Sequence, residues 1–272
     1  MSIRDVIDRT TNGPVTTDRL VSDLKALGVE SGMVLLVHTS LSALGWVCGG
    51  AVTVIDALLQ SIGRRGTLVM PTHSTDLTDP REWQNPPVPE SWKETIRQTM
   101  PAYDSERTPT RQMGCVAETF RTWPGVERSA HPHLSLAACG PQAHAIVAEH
   151  DLHQGNGERS PLARIYEFDG WVLLLGVGHE NNTSLHLAEY RASFPGKRME
   201  VNGAPIRMDG ERRWVVIHDL EMDSGDFDRI GEAFERETGG VRRGAAGEGT
   251  ALLMSQRRLV DYGVNWMESH RR

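Results

Sequence analysis

Cysteine is scarce in this chain. Cys48, Cys115 and Cys139 are the three it has, and they are scattered. An odd and sparse count does not build a disulfide framework, and it fits a reducing compartment. Long apolar runs are also missing. Nothing approaches the roughly 20-residue stretch that would span a bilayer, and the opening residues Met1-Ser2-Ile3-Arg4-Asp5 have no apolar segment of the kind a secretory signal carries. The expected location is therefore cytoplasmic, with no membrane partner. Basic residues are in deficit, with a net charge of −7. Nucleic acid calls for a concentrated basic face and is disfavoured. A cationic small molecule is compatible with such a chain, because an acidic cleft concentrates it. Mild acidity that serves only solubility fits the same number.

Three catalytic signatures are absent as well. His179-Glu180 opens an H-E-x-x-H zinc motif, but position 183 is threonine. Gly176-Val177-Gly178 lacks the third glycine of a dinucleotide fingerprint, because position 181 is asparagine. No G-x-S-x-G nucleophile elbow occurs.

What is present is a regular alternation. Leu20, Leu24 and Leu27 predict an amphipathic helix over 17–27 that stops at Gly28. A buried strand follows at 33–38, a helix at 50–62 and a strand at 67–70 ended by Pro71. Further on, Val116 and Phe120 mark a helix, 134–138 a strand, 142–149 a helix and 171–175 a strong strand. Asp209-Gly210 between two apolar runs predicts a hairpin. The last third reads as helical and charged, closing with a helix at 256–269. The expected fold is α/β: a central, mostly parallel or mixed sheet flanked by helices, with a C-terminal region of hairpin plus helices, all in a single domain over 1–272. Residues 76–110 break the rhythm. They are rich in proline, carry Trp83 and Trp92, and predict a long irregular insertion with a function.

The chemistry concentrates at 174–189. A helix over 181–192, at about 3.6 residues per turn, places His179, Asn182, Thr183, His186, Glu189 and Tyr190 on one face. That face begins at the carboxyl end of a buried strand, where open α/β sheets bind ligands. His186 and Glu189 are i, i+3 neighbours, so the carboxylate can hold the imidazole in one tautomer. A base that titrates near neutral pH is what acetylation of an amine requires. Thr183 is the candidate hydroxyl for an oxyanion. A second segment, Val37-His38-Thr39-Ser40-Leu41-Ser42, offers small hydroxyls at a strand end. A third, Arg128-Ser129-Ala130-His131-Pro132-His133, offers donors that suit phosphate, or two imidazoles that suit a metal. Acidic residues gather at Asp76, Asp79, Glu94, Asp104 and Glu106, and again at Asp219, Glu221, Asp223, Asp226 and Asp228. If the two stretches meet over the active helix they form an anionic pocket. Otherwise they are solvated surface.

Taken in order along the chain, several stretches resemble the aminoglycoside 3-N-acetyltransferase family. They include Leu36-Val37-His38-Thr39-Ser40-Leu41, Gly66 through Ser74, Pro86 through Trp92, Arg128 through Pro132, Ser160-Pro161-Leu162-Ala163-Arg164 and the tight block from Leu173 to Glu189. The resemblance implies an α/β fold unrelated to the small N-acetyltransferase fold. It implies acetyl-CoA as donor, no metal, and the 3-amino group of a 2-deoxystreptamine aminoglycoside as acceptor, with antibiotic resistance as the result. It assigns catalysis to His186 and Glu189. It places CoA on His38, Thr39, Ser40, Leu41 and Ser42, with Arg128 and Ser129 near the phosphates. The acceptor contacts it implies are Asp76, Asp104, Asp219 and Asp223. One departure is visible: the region after Asp223 is short and matches the family only loosely, with Gly244-Ala245-Ala246-Gly247 where a Gly-x-x-Gly segment near the active site is expected.

The expected mechanism is direct transfer in a ternary complex, since none of the cysteines lies in a recognisable activated setting for an acetyl-cysteine route. A rival reading is a metal-dependent hydrolase built on His179, His186 and Glu189, with His131 or His133. A third is a binding protein that sequesters a cationic drug. The sequence leaves a homodimer open.

Overall fold

The computed structural model describes residues 2–272. The chain opens with α1 (Ile3–Asp8), whose Ser2 and Asp5 form a reciprocal capping box. α2 (Thr17–Leu27) is capped by Thr16 and ends at Gly28 in the left-handed conformation. Its Leu20, Leu24 and Leu27 face inward, as their spacing predicts. Each such leucine contributes roughly 1.5–3 kcal/mol by leaving water. β1 (Val34–Thr39), α3 (Ala51–Ile62) and β2 (Thr67–Pro71) follow.

The segment 76–110 is not wholly irregular. It contains α4 (Glu90–Thr99), none of whose residues is buried. An amphipathic pattern has no apolar partner to face here, so the sequence shows no clear period. The segment is held by polar contacts instead. Arg97 forks onto Asp79, with Nε–Oδ2 at 3.1 Å and Nη2–Oδ1 at 2.8 Å. Arg212 Nε donates to the Met100 carbonyl at 2.7 Å, and the Tyr103 N–H to the Pro205 carbonyl at 2.8 Å.

Next come α5 (Gly114–Arg121), β3 (Glu127–Arg128), β4 (Leu136–Cys139), α6 (Ala143–Val147), α7 (Pro161–Glu167) and β5 (Trp171–Leu175). α8 (Ser184–Arg191) precedes a two-stranded ribbon, β6 (Met199–Met208) and β7 (Glu211–Leu220). Asp209 and Gly210 both adopt positive φ at its turn, 52° and 80°, the geometry that matches strand twist in a two-residue hairpin. α9 (Phe227–Thr238), β8 (Val241–Ala246), β9 (Gly249–Ser255) and α10 (Gln256–His270) complete the chain. The hairpin β8–β9 corrects the expectation of a purely helical C-terminal third. β9 is a buried run, Ala251-Leu252-Leu253-Met254, and such a run cannot be told from a helix core by periodicity alone.

The seven-stranded sheet has the order β3-β4-β2-β1-β5-β9-β8. Only its centre is parallel: β1 runs with β2 and with β5, and every other pair in it is antiparallel. The sheet is mixed rather than mostly parallel. β1 shows why both faces are covered. Leu35 and Val37 pack toward α2, α3 and α5, while Leu36 packs toward α7, α8, α9 and α10. Among the described residues no helix is long and apolar enough to cross a membrane.

Candidate active site

The parallel strands β2, β1 and β5 end at one edge of the sheet, and a cavity of about 840 Å³ opens there. His38 through Ser42 line it after β1, Met70, Pro71 and His73 after β2, and Val177 and Glu180–Thr183 after β5. His186 of α8, the first turn of α5 and Phe227 of α9 close the sides, with Ile3, Val6 and Trp46 also on the lining. Gly176 makes the convergence possible. Its φ is +73°, and a Cβ there would sit 2.7 Å from Ala43 Cβ and 3.2 Å from the Ser40 carbonyl. The end of β5 can therefore lie directly against the turn that follows β1.

His186 Nδ1–H donates to Glu189 Oε2 at 2.5 Å. This leaves Nε2 as the nitrogen free to take a proton. The imidazole packs 4.8 Å from the Phe227 ring and is 17% exposed, while Glu189 is 1% exposed. Two more imidazoles line the same cavity. Burial, and next the nearby His186, hold His38 and His73 down to about 3, so both are neutral. The Nε2 atoms of His38 and His73 are buried without a protein partner.

The active helix starts later than its sequence pattern suggests. His179–Asn181 is a separate tight turn, and α8 begins at Ser184. Asn182 breaks the run with ψ at 86°, and its Oδ1 accepts the Ser184 N–H at 3.3 Å. His179 accordingly leaves the shared face. Its ring is buried against Gly231 of α9, and burial lowers its pKa. It lines a separate cavity of about 470 Å³ with Asp228 and Glu232. Tyr190 also turns away and donates to Asp219 at 2.5 Å. Of the six residues expected on one face, Asn182, Thr183 and His186 line the main cavity, and Glu189 stands behind His186. Among the described residues no three His, Cys, Asp or Glu side chains come together as a metal site. The rival cluster of His179, His186 and Glu189 is thus divided between two cavities.

The strand-end segment falls where it was expected: His38, Thr39, Ser40, Leu41 and Ser42 all line the cavity. Arg128 and Ser129 do not. The Arg128 guanidinium is spent inside the protein, on Thr72 Oγ1 and Ser135 Oγ at 3.1 Å each, the Thr108 carbonyl at 2.5 Å and the Thr72 carbonyl at 2.6 Å. It ties the 76–110 segment to the end of β2. Ser129 Oγ is buried between the Leu136 N–H at 3.0 Å and His150 Nδ1 at 2.8 Å. His131 and His133 are structural too, since His131 Nδ1 accepts the N–H groups of His133 and Leu134 at 3.1 and 3.0 Å.

The four acidic residues do not meet around the cavity. Asp76 is exposed and pairs with Arg111 at 3.3 Å. Asp104 Oδ1 caps its own turn through the N–H groups of Glu106 and Arg107, 3.0 Å each. Asp219 is buried, taking the Gly155 N–H at 2.9 Å. Only Asp223 approaches, because the next residue, Ser224, is on the lining. The segment 244–247 is not on the lining: it ends β8 and turns toward β9, where Gly247 bonds Arg19 and Asp23 of α2 and packs against Leu44 in the loop after β1.

The sequence model described as aminoglycoside 3-N-acetyltransferase matches residues 36–268. The chain belongs to that family. A relative in Bacillus subtilis (strain 168), the SPbeta prophage-derived aminoglycoside N(3')-acetyltransferase-like protein YokD, is 44% identical over 97% of this chain and 96% of its own length. The YokD crystal structure superposes with a TM-score of 0.95 at 43% identity, covering 98% of each chain. Aminoglycoside N(3)-acetyltransferase VII of Streptomyces paromomycinus is 40% identical over 96% of this chain and 94% of its own. The family member AAC-IIIb, solved as a binary complex with CoASH, superposes with a TM-score of 0.84 at 31% identity, covering 95% of this chain and 98% of that one.

Sequence reasoning missed several lining residues. His73 lay inside a stretch that carries the family resemblance, and its position just past a strand end was the available signal. Gln112–Ala117 and Trp46 had no motif of their own. They join the site because α5 and the loop after β1 pack beside the strand ends.

Proposed function

We propose that this chain transfers the acetyl group of acetyl-CoA to the 3-amino group of a 2-deoxystreptamine aminoglycoside, directly and in a ternary complex, and so confers resistance to the drug. The observation that carries the reading is the His186–Glu189 pair, with His186 bonded through Nδ1 and on the wall of a cavity lined by small hydroxyls. Pantetheine and thioester fit along Thr39, Ser40 and Ser42. The acceptor nitrogen attacks the thioester carbon, forming the C–N bond. His186 Nε2 takes the proton that the amine loses. As the C–S bond breaks, that proton is available to the CoA thiolate. Thr183, on the cavity wall, is the candidate donor to the developing oxyanion. The exposed carboxylates of Glu180 and Asp223 are the candidate contacts for a polycation. The amide product carries one positive charge fewer than the amine.

The test is release of free thiol from acetyl-CoA on adding a panel of 2-deoxystreptamine aminoglycosides, with His186→Ala in parallel. General-base help is worth roughly 10²–10⁴-fold, so His186→Ala should lose turnover on that scale while still binding CoA. A variant that keeps wild-type turnover would remove His186 from the mechanism.

A further inference from the structure

Both oxygens of the buried Glu189 are engaged. Oε2 accepts from His186, and Oε1 accepts from Arg271 Nη1 at 2.5 Å and from the Asp223 N–H at 3.0 Å. Arg271 is itself clamped. Its Nε and Nη2 fork onto Asp226 at 2.8 and 2.6 Å, and Nη2 also reaches the Asp223 carbonyl at 2.7 Å. Its guanidinium carbon lies 5.0 Å from the centre of the Phe194 ring. α10 delivers it there. Arg271 follows the last turn of α10, and its N–H bonds the Met267 carbonyl at 2.9 Å. Gly263 lets α10 lie close to α8, since a Cβ there would come within 3.0 Å of Ala188 Cβ and 3.2 Å of Leu185 Cδ2.

We propose that Arg271 is the positioning residue of the acyl-transfer site: its guanidinium fixes and charge-balances Glu189, so that Glu189 holds His186 with Nε2 toward the cavity. The proposal rests on the acetyl-transfer reading. A carboxylate this deeply buried is costly without a partner. Deprived of the guanidinium, Glu189 must turn toward water or share the His186 proton, and either outcome spoils the base. The fork geometry matters as well as the charge. Arginine can hold Asp226 through two nitrogens while a third bond goes to Glu189, and lysine cannot.

The charged and titratable groups around His186 are Glu189 on its own helix, His38 and His73 across the cavity, and Arg271 with Asp226 and Asp223 behind Glu189. Removing one positive charge from this set raises the proton affinity of the His–Glu pair.

The experiment compares Arg271→Gln and Arg271→Lys with wild type by kcat, KM for acetyl-CoA, pH profile and response to millimolar guanidinium. The rate of His186 acylation by diethyl pyrocarbonate is followed against pH by peptide mass spectrometry. Arg271→Gln should lose roughly ten- to a hundredfold in kcat, as for a displaced base, with KM nearly unchanged. The acid limb of its kcat profile and its acylation midpoint should both move up. Guanidinium should restore part of the loss, and Arg271→Lys should fall between. Unchanged kcat overturns the proposal. So does a loss in which the acid limb and the acylation midpoint stay in place and guanidinium has no effect, which is what mere loosening of α10 would give. If Arg271→Gln does not fold, the kcat of Arg271→Lys decides, because lysine keeps the charge but not the fork, and a wild-type kcat there refutes the assignment. If wild type itself acetylates no aminoglycoside, the acetyl-transfer reading fails, and the acylation midpoints still judge Arg271, because they need no substrate.

Discussion

Replacing Gly231 by alanine should destabilise the protein, against the ordinary preference for alanine in a helix. Gly231 lies inside α9, where Gly→Ala normally adds about 1 kcal/mol. Here a Cβ would meet His179 at Cγ, Cδ2 and Nδ1, at 2.0, 2.2 and 2.3 Å. Three ring atoms that close mean the methyl would occupy the ring's own space. A small tilt cannot clear three ring atoms that lie this close to the added methyl. The ring must leave. Overpacking of this kind costs about 1–3 kcal/mol, and displacement of a whole ring belongs at the upper end. The propensity gain offsets part of it, for a net loss of about 2 kcal/mol. In a chain of this size that lowers Tm by about 4–8 °C. Thermal or urea unfolding measures it, and a double-mutant cycle sharpens it. His179→Ala alone leaves a hole, whereas Gly231→Ala with His179→Ala puts a methyl into that hole and should recover most of the loss. A Gly231→Ala protein as stable as wild type, or the absence of coupling between the two sites, would refute the packing role given to His179.

The buried imidazoles should make the fold acid-sensitive. Burial holds His133 and His150 down to about 4 and His131 well below its ordinary value. Because the folded state refuses protons that the unfolded chain accepts, stability is complete above about pH 6.5 and declines as pH falls from there toward about 4. Between pH 7.5 and 5.5 each such group should remove about 1 kcal/mol, read as a falling urea midpoint, and His150→Gln should flatten the trend; a midpoint that does not change over this range would contradict the neutral cluster. Asp219→Asn should cost about 1.5–3 kcal/mol by weakening a charged acceptor for Tyr190 and Gly155, yet leave the KM for acceptor unchanged. A raised KM without loss of Tm would return Asp219 to the substrate site.

The fold was most legible where one residue pattern had one structural meaning. The leucines of α2, the run of β5 and the Asp209-Gly210 turn needed no tertiary knowledge. β8–β9 and α4 were not legible, for opposite reasons: β9 is apolar on every residue that could betray a period, and α4 buries none. At the site, His186, Glu189, Thr183 and the 38–42 segment could be found because strand ends and i, i+3 spacing are local. The acidic residues and Arg128 could not be sorted, because a charged side chain in a one-dimensional string looks the same whether it faces a ligand or is satisfied by backbone groups. Arg271 was invisible for a simpler reason: its partner Glu189 is 82 residues away.

A chain is synthesised from its amino end, and the order in which the site's parts emerge follows from where they sit in the sequence. The lining from β1 and β2 comes first and the His186–Glu189 pair well after it. The guanidinium that balances Glu189 comes after both, at the end of the helix that must still dock against α8. Until α10 docks, Glu189 lacks the guanidinium that bonds its Oε1. If Arg271 positions Glu189 as proposed, turnover requires a docked α10, and a turnover assay on a refolding or translating sample would report that docking.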